Sequence, residues 1–570
     1  MSPFPRTPVP DYNTQFSGDP NDFMSLHGCV PAAWVRNGKV AALVVCFLIC
    51  IACGDVYRPT IIPNPVPIPP PQNFHTAFSV NQNGTVYPGT GMQVDVSGDS
   101  DAGTTKLSMG PVHAAVLGNN VWSANFASDS VSVFAQALSA GSIGSATTIN
   151  LVPGSKPVFV ASTDTTTMYV ANSGQLTDPT GTTYFAVDAI LNASVASTAV
   201  IAEIRLPGAI TPWALAETPD KKKLYVVNRD SHNVIVVNTV DKTINATLAT
   251  GIGISPRWAI ARSDSTRVYV VANDGTLSTI DTTQATDQVI SSISVGAGVD
   301  SFYYDNRLNR LYIPNPTNSS VAIYDISGDP PRLLTTIDLT KPITAGGTDS
   351  PCPQSGCFPL SVAPLPDGSR AYVASYFLDN TSPNCTVTAC VQTQLTAINT
   401  LNNQVQKSIA LPQVSVSSVA DCAALRFRIS AVAAGDSSRV YLASCDGGGV
   451  AGVRTSDNSY VVTLNAPVSG FAPPAVNISS AVQNGTTTTY TYTVISGVPL
   501  FLGMPISITG IANSGDTVLN PDNGTFNITA LGTGTFSVTN PSGVSTTSAQ
   551  TAVGLGQPPP QNPAFMVAGP

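Results

Sequence analysis

The chain has 570 residues, only 10% of them charged, and its 25 Lys+Arg and 34 Asp+Glu give a net charge of −9. An acidic chain with so few cations argues against nucleic acid as a partner. Glu occurs only at Glu203 and Glu217, whereas Thr, Val, Ser, Gly, Pro and Asn are abundant. This composition disfavours helix surfaces and favours strands and turns, so we predict an all-β body.

The amino-terminal segment, residues 1–53, resembles an export signal. Two cations precede an apolar run of 14 residues at 40–53. That run is shorter than the roughly 20 residues that span a bilayer, which favours a signal-peptide core. It ends in Ile51-Ala-Cys-Gly54, which resembles a bacterial lipobox, although Cys50 stands where that pattern prefers Leu. The resemblance implies cleavage before Cys53 and a lipid anchor on it. The alternative is cleavage elsewhere and a soluble exported product.

Three further features bear on the predicted signal peptide and on the location of the protein. A start at Met24 would give a signal of ordinary length, so we predict that Met24 is the true initiator. Gly54, not Asp, follows the cysteine, which in Gram-negative lipoproteins resembles the outer-membrane default. Residues 54–80 form the next predicted segment, whose Pro-rich run at 58–72 indicates an extended linker.

The cysteine pattern agrees with export. Four of the ten cysteines lie at or before residue 53. The even number that remains predicts three disulfide bonds, and we favour pairing between nearest neighbours, namely Cys352–Cys357, Cys385–Cys390 and Cys422–Cys445. The alternative is a metal site built from the first two pairs. It is disfavoured because an exported protein meets oxidising conditions and because no histidine follows His232.

One short motif recurs along the body of the chain. It is an aromatic residue within an apolar stretch that follows a polar turn and ends in Asn or Ser. The seven aromatic positions are Trp122, Tyr169, Tyr225, Tyr269, Tyr312, Tyr372 and Tyr441. The shortest spacings, about 45 residues, with strand signals only, are typical of a propeller blade. We therefore predict seven four-stranded blades at 81–470, with these aromatic residues packed between blades. The turn at Asp220–Lys223 is predicted to be a solvated hairpin tip.

The words "YVAN", "YVVN" and "YVVAN", the turn "PDGSR" and the stretch at Val234–Leu248 resemble the YVTN-repeat β-propeller family of bacterial and archaeal surface proteins. The resemblance covers about residues 85–465. It implies a seven-bladed propeller on an exported lipoprotein, but it does not define an activity, because one propeller scaffold serves many functions.

The repeat ends near residue 470. Alternating strands with Gly, Asn and Pro turns at 471–550 predict a small β module, either a sandwich or a barrel. A Pro-rich tail is predicted at 551–570. Within it, Ala564–Val567 is either a strand that returns to the propeller or an ordered tail; the sequence leaves both open.

The candidate site lies at the mouth of the central channel, where loops enter the innermost strand of each blade. Those entries contain cationic and aromatic residues that are suited to an anionic or sugar-like ligand. The alternative is that they only fill the channel. The candidate residues are His113, Lys156, Trp213, Arg257, Trp258, Asp300, Phe302, Phe358, Arg426 and Arg428.

The sequence favours a non-enzymatic binding or scaffold protein of the cell envelope, whose partner is an unknown protein, a glycan or an anionic ligand. No catalytic or cofactor motif is evident, so we predict no cofactor and no metal. The alternative is a lactonase-like or metal-dependent hydrolase that uses the channel. With only two Glu, such an enzyme would depend on Asp and Asn. A quinone-dependent dehydrogenase is disfavoured, since its repeating tryptophan motif is not evident among four Trp.

Overall fold

The structure is a computed structural model that describes residues 75–83, 88–137, 143–163, 166–192, 195, 201–344, 347, 349–379, 390–415, 422, 426–465, 474–497, 500, 504–511, 520–546, 552–556 and 562–569. The predicted signal peptide, Met24, Cys53 and the Pro-rich run at 58–72 lie outside these residues. No helix in the described ranges is long and apolar enough to cross a bilayer.

The described chain forms antiparallel sheets. Eight of these sheets are propeller blades, each built on four neighbouring strands. Blade 1 contains β1 (Thr76–Asn81), β2 (Pro88–Asp95) and β3 (Ser100–Met109); blade 2 contains β4 (Pro111–Leu117), β5 (Asn120–Asn125), β6 (Ser130–Ala135) and β7 (Thr147–Asn150); blade 3 contains β8 (Pro157–Ala161), β9 (Thr167–Asn172), the hairpin β10 (Leu176–Thr177) and β11 (Thr183–Tyr184), then β12 (Ala186–Leu191) and β13 (Ile201–Arg205); blade 4 contains β14 (Pro212–Glu217), β15 (Lys223–Asn228), β16 (Asn233–Asn238) and β17 (Ile244–Leu248).

The second half of the ring repeats this order. Blade 5 contains β18 (Pro256–Ala261), β19 (Arg267–Ala272), β20 (Thr276–Asp281) and β21 (Gln288–Ser294); blade 6 contains β22 (Tyr303–Asp305), β23 (Arg310–Asn315), β24 (Ser320–Asp325) and β25 (Arg332–Asp338); blade 7 contains β26 (Phe358–Pro364), β27 (Arg370–Leu378), β28 (Cys390–Asn399) and β29 (Gln404–Ala410), with β30 (Val414–Ser415) beside β28; blade 8 contains β31 (Ile429–Ala433), β32 (Arg439–Ser444), β33 (Gly449–Arg454) and β34 (Ser459–Asn465).

The chain then forms a closed six-stranded barrel in the order β35-β36-β39-β38-β37-β40. Its strands are β35 (Ala475–Asn484), β36 (Thr487–Ser496), β37 (Pro505–Thr509), β38 (Gly524–Gly532), β39 (Thr535–Thr539) and β40 (Ala552–Gly556). Tyr490 stacks on Phe536 in the barrel core, with ring centroids 5.0 Å apart. Of the two predicted forms for this module, the structure is the barrel, because β40 pairs with both β35 and β37.

The last strand, β41 (Pro563–Ala568), completes blade 1 by pairing antiparallel with β1. Its innermost position is shown by its packing against β4 of blade 2 and β31 of blade 8. The stretch at Ala564–Val567, which the sequence left undecided, is therefore a strand that returns to the propeller. Both ends of the propeller thus meet in one blade, which closes the ring and leaves only short sheet edges.

The propeller has eight blades, so the prediction of seven is wrong. The missed copy of the motif is Phe78-Ser-Val-Asn81 in β1, which has an aromatic residue three positions before an Asn, as in Tyr169-Val-Ala-Asn172. Phe78 is fully buried. This copy is hard to recognise in the sequence because Phe replaces Tyr. In addition, β41, the remaining strand of its blade, lies about 490 residues further along the chain, where Ala568 pairs with Ala77.

The aromatic residues of the motif pack between blades, as predicted. Trp122, Tyr225, Tyr269, Tyr312, Tyr372 and Tyr441 are fully buried and Tyr169 nearly so. Their hydroxyl groups also reach the neighbouring blade in some copies: Tyr225 donates to Asp287, and Tyr441 donates to Asp99. Each residue therefore fills the space between two sheets, and several also bond to a turn across that interface.

A cation two positions before the aromatic residue makes a second link between blades. Lys223 of blade 4 lies 2.5 Å from the buried Asp287 of blade 5, and Arg439 of blade 8 binds Asp99 of blade 1 at 2.8 Å. Arg370 likewise donates to the Thr455 carbonyl. The solvated-tip prediction is therefore wrong for Lys223, which is largely buried, although it holds for the exposed Lys221 and Lys222. The last lysine belongs to the strand and not to the turn.

Two of the three predicted disulfide bonds are confirmed, Cys352–Cys357 and Cys422–Cys445. Cys390 is also disulfide-bonded, but Cys385, its predicted partner, lies outside the described residues. These bonds fit an exported protein, since disulfides persist in oxidising compartments.

Candidate functional site

A repeated irregularity at the start of the innermost strands places side chains in the channel. Pro111, Pro157 and Pro256 each begin such a strand, where no backbone donor is needed. In all of them the register shifts by one residue directly after the proline. The same shift occurs in β41. Four of the side chains that follow such a bulge, His113, Phe159, Trp258 and Phe565, meet in the channel.

These four residues and Phe427 form an aromatic plug. His113 stacks on Phe159 with ring centroids 3.8 Å apart and lies 4.3 Å from Phe565. Phe427 lies 4.8 Å from Phe565 and 5.9 Å from Trp258. The channel is thus filled at this level by apolar packing among residues of blades 1, 2, 3 and 5 and of the segment before blade 8. For these residues, channel filling is the role that the contacts support.

His113 is neutral in this setting. Its Nδ1 accepts a hydrogen bond from the Val160 amide at 3.3 Å, so the proton of the neutral ring lies on Nε2. Burial, and secondarily the Arg426 cation, lower the pKa of His113 well below its ordinary value of 6.5. The imidazole therefore acts as an uncharged ring within the plug.

We expect this histidine to make stability depend on pH. Because the pKa of His113 is lower in the folded protein, only the unfolded chain takes up the proton as pH falls below 6.5. The free energy of unfolding should therefore contain the full contribution of the neutral His113 above pH 6.5. Below pH 6.5 it should fall by up to about 1.4 kcal/mol per pH unit. Chemical unfolding of the wild type and of His113→Phe between pH 5 and 8 measures this slope.

The variant should lack the His113 contribution to the slope. Loss of the hydrogen bond from the Val160 amide should change the free energy of unfolding of the variant by the same amount at each pH, so it does not alter the slope. Asp188 titrates with the opposite sign, because burial raises its pKa to about 6, but it is common to both proteins and cancels in the difference. Parallel curves for the two proteins would contradict a neutral buried His113.

Above the plug lies the arginine well, which we define as Trp213 and the guanidinium groups of Arg229, Arg257 and Arg426. The guanidinium carbons of Arg229 and Arg426 each lie 4.4 Å from the centroid of the Trp213 ring, and that of Arg257 lies 5.8 Å away. Cations at these distances are attracted by the π face of an indole. Trp213 thus gathers three positive charges contributed by three separate parts of the ring.

The carboxylates beside the well balance only part of this charge. Arg229 makes a two-point contact with Asp230 at 2.7 and 2.8 Å. The buried Nε of Arg257 lies 3.5 Å from Asp300 Oδ1, within ion-pairing distance, but it makes no hydrogen bond among the described residues. Arg426 donates through Nη1 to the Val158 carbonyl at 3.0 Å. Its buried Nη2 has no partner within the described ranges.

Electrostatics single out Arg426. Burial, followed by repulsion from Arg257, lowers the pKa of its guanidinium to about 9, so the charge is retained at neutral pH but is poorly compensated. A buried cation with an unused donor is costly unless an acceptor satisfies it. The well therefore offers charge and hydrogen-bond capacity to an incoming anion.

Covalent and ionic contacts hold the segment that carries Arg426. The disulfide Cys422–Cys445 ties it to the end of β32. Arg428 is 8% exposed and binds Asp446 through two contacts of 2.7 and 2.9 Å. Between these anchors, Arg426 reaches the Val158 carbonyl in blade 3. Arg426 therefore links the start of blade 8 to blade 3.

The predicted site residues fall into two groups. His113, Trp213, Arg257, Trp258, Asp300 and Arg426 belong to the plug or to the well and its edge. The other four make contacts outside the plug and the well. Lys156 lies 3.6 Å from Asp129. Phe358 stacks on Tyr376 at 4.9 Å. Arg428 is committed to Asp446.

Phe302 does not line the mouth. It is fully buried and packs in the apolar cluster shared by blades 5 and 6. The sequence placed it at a loop entry, but β22 is short and begins only at Tyr303, so the preceding residue fills the core instead.

The sequence also missed Arg229, Phe159, Phe427 and Phe565. Arg229 directly follows the motif that ends at Asn228, which pairs with Pro212 at the start of the innermost strand. Phe159 and Phe565 lie two residues after a proline, as His113 does. That shared spacing is a signal that could have revealed both phenylalanines.

Groups of three or more His, Cys, Asp or Glu side chains placed to hold a metal ion do not occur among the described residues.

No known protein family matches the chain, and no curated protein sequence matches it. Solved structures of similar fold include a periplasmic gluconolactonase of Pseudomonas aeruginosa, at 14% identity and TM-score 0.42, covering 60% of this chain and 97% of that one. Apo AztD of Citrobacter koseri is 10% identical, with a TM-score of 0.47 and coverage of 69% and 95%. At these identities the likeness concerns the fold alone, and the YVTN-repeat resemblance stays a prediction.

Proposed function

We propose that this protein is an exported β-propeller that binds an anionic ligand at one mouth of its channel, without catalysing a reaction on it. The observation that carries the proposal is that the positive charge of the arginine well is only partly balanced by carboxylates. Three guanidinium groups converge on Trp213, whereas Asp230 and Asp300 are the carboxylates in contact with them among the described residues.

The plug supports this proposal because it limits how deeply a ligand can enter the channel. His113, Phe159, Phe427 and Phe565 close the channel beneath the well, so a ligand would rest on an apolar floor with the cations around it. Low-dielectric surroundings strengthen a charge-assisted hydrogen bond. The predicted lipid anchor at Cys53 and the Pro-rich linker would hold the propeller at the cell envelope.

Calorimetric titration with phosphate, citrate and glutarate, with the neutral glutaramide as comparison, tests the proposal. At least one anion should bind the wild type, and Arg426→Gln should weaken that binding about 10- to 100-fold, because a charge-assisted hydrogen bond contributes about 1.5–3 kcal/mol. Arg332→Gln is the matched control, since Arg332 is 71% exposed and pairs with Asp325 in blade 6. Equal binding by wild type and Arg426→Gln would contradict the proposal.

The alternative, a lactonase-like or metal-dependent hydrolase, is distinguished by two further measurements on the same protein. Titration with Ca²⁺ and Zn²⁺ should give no heat of tight binding. Lactones should stay unchanged when they are incubated with the protein. A tightly held divalent ion at the mouth, or lactone turnover that depends on residues of the well, would replace the binding proposal with the enzymatic one.

A further inference from the structure

We infer that the ligand of the arginine well is an amphipathic organic acid, with an anionic head bound by Arg426 and Arg257 and a non-polar body resting on Ile210 and Ile254. This inference rests on the proposed function, and it deepens it by naming the chemical class of the ligand. Its evidence is separate from the charge of the well, since it comes from the apolar rim beside it.

The two isoleucines are exposed at equivalent positions in neighbouring blades. Ile210 is 48% exposed and Ile254 is 61% exposed. Each lies two residues before the proline that opens an innermost strand, and each is followed by a residue with a left-handed backbone, Thr211 at φ 58° and Ser255 at φ 56°. The shared geometry places both side chains on the same rim of the ring, at the loops into blades 4 and 5.

Hydrogen bonds link this rim to the well. The Arg229 amide donates to the Thr211 carbonyl at 3.0 Å, and the Asp230 amide donates to the Ile210 carbonyl at 3.1 Å. In the same turn, His232 Nδ1 accepts from the Ser255 amide at 3.0 Å. The turn at 229–232 therefore bridges the two isoleucine loops, and Arg229, one of the three cations of the well, stands between them.

The charge next to this rim decides what kind of apolar ligand fits. Single exposed apolar residues are ordinary on protein surfaces, and a purely hydrophobic partner would leave the donors of Arg426 and Arg257 unsatisfied at a covered interface. A ligand with an anionic head satisfies those donors, and the planar guanidinium fork suits a carboxylate in particular. Its non-polar body would lie over the two isoleucines.

A homologous series of acids tests this inference. Acetate, butyrate and hexanoate are titrated calorimetrically, with hexanamide as the uncharged comparison. Affinity should rise about fourfold for each methylene group that the rim covers, and hexanamide should bind far more weakly than hexanoate. The double variant Ile210→Ser/Ile254→Ser should remove this dependence on chain length and leave acetate binding unchanged. Both residues are exposed, so the fold should tolerate the changes.

Val240→Ser is the matched control, because Val240 is 81% exposed but lies in the β16–β17 turn, at the opposite end of these strands from the turn at 229–232. It should keep the full dependence on chain length. Binding of all the acids with equal affinity, or an unchanged slope in the double variant, would overturn this inference and leave the anion site standing. If neither these acids nor the anions of the previous test bind, the inference and the proposed function fall together.

Discussion

Removal of β41 should prevent the propeller from folding stably. A chain that ends before Pro563 lacks the innermost strand of blade 1, which leaves one edge of β1 unpaired and opens the ring between blades 8 and 2. It also removes Ala564 and Met566, both nearly fully buried, and the Phe565 ring of the plug. The expected loss is roughly 5 kcal/mol or more, which is comparable to the whole net stability of a domain.

Circular dichroism during thermal and urea unfolding checks this loss. A chain that ends after Ala568 is the control, because it retains all of β41 and, among the described residues, loses Gly569 with its hydrogen bond to Thr76. If the longer truncation does not fold at all, a synthetic peptide of residues 562–569 added in excess should restore part of the signal. A truncated chain that unfolds within a few degrees of the full-length protein would show that β41 does not close the ring.

Replacement of Asp287 with alanine should cause the largest loss of stability expected from one substitution here. The carboxylate is buried and accepts hydrogen bonds from Lys223 Nζ and from the Tyr225 hydroxyl, both at 2.5 Å. Asp287→Ala leaves the buried Tyr225 hydroxyl without its acceptor. It also leaves Lys223, whose side chain is 18% exposed, without a counter-charge and with only the Thr282 carbonyl at 2.8 Å as acceptor among the described residues. We expect the free energy of unfolding to fall by about 3–5 kcal/mol, as for other broken buried ion pairs.

Urea unfolding measures this effect, with Asp220→Ala as the control. Asp220 pairs with Lys222 at 3.1 Å, but both side chains are substantially exposed, so their pair should contribute less than about 1 kcal/mol. The double variant Lys223→Met/Asp287→Leu should recover much of the loss, because it removes both charges together. A decrease below about 1 kcal/mol for Asp287→Ala would show that the contact does not hold blades 4 and 5 together.

Much of the architecture could be predicted because a propeller repeats its motif. Sparse charge, strand-forming composition and the recurring aromatic residue were sufficient for the all-β class and for the interblade role of residues such as Tyr225. The eighth blade was missed because its strands come from both ends of the chain and because Phe78 replaces the usual Tyr. Pairing over such a sequence distance has no local signature.

The site was only partly predictable for a different reason. Position in a repeat indicates that a side chain lies near the mouth, but not which partner it meets. Arg426 and Arg428 are two residues apart, yet Arg428 is neutralised by Asp446, whereas Arg426 crosses to blade 3 with one donor unused. The contact between Arg229 and Trp213 likewise depends on a turn folding back over the neighbouring loop.

The most direct test of the arginine well is a crystal structure of the protein with 4-bromobenzoate, whose bromine is located by anomalous scattering. We expect one carboxylate within hydrogen-bonding distance of the Arg426 and Arg257 guanidinium groups, with the ring towards Ile210 and Ile254, and no such density in crystals of Arg426→Gln. A well whose guanidinium groups are all satisfied by carboxylates of the protein itself, with the bromine elsewhere or absent, would contradict an anion site at this mouth.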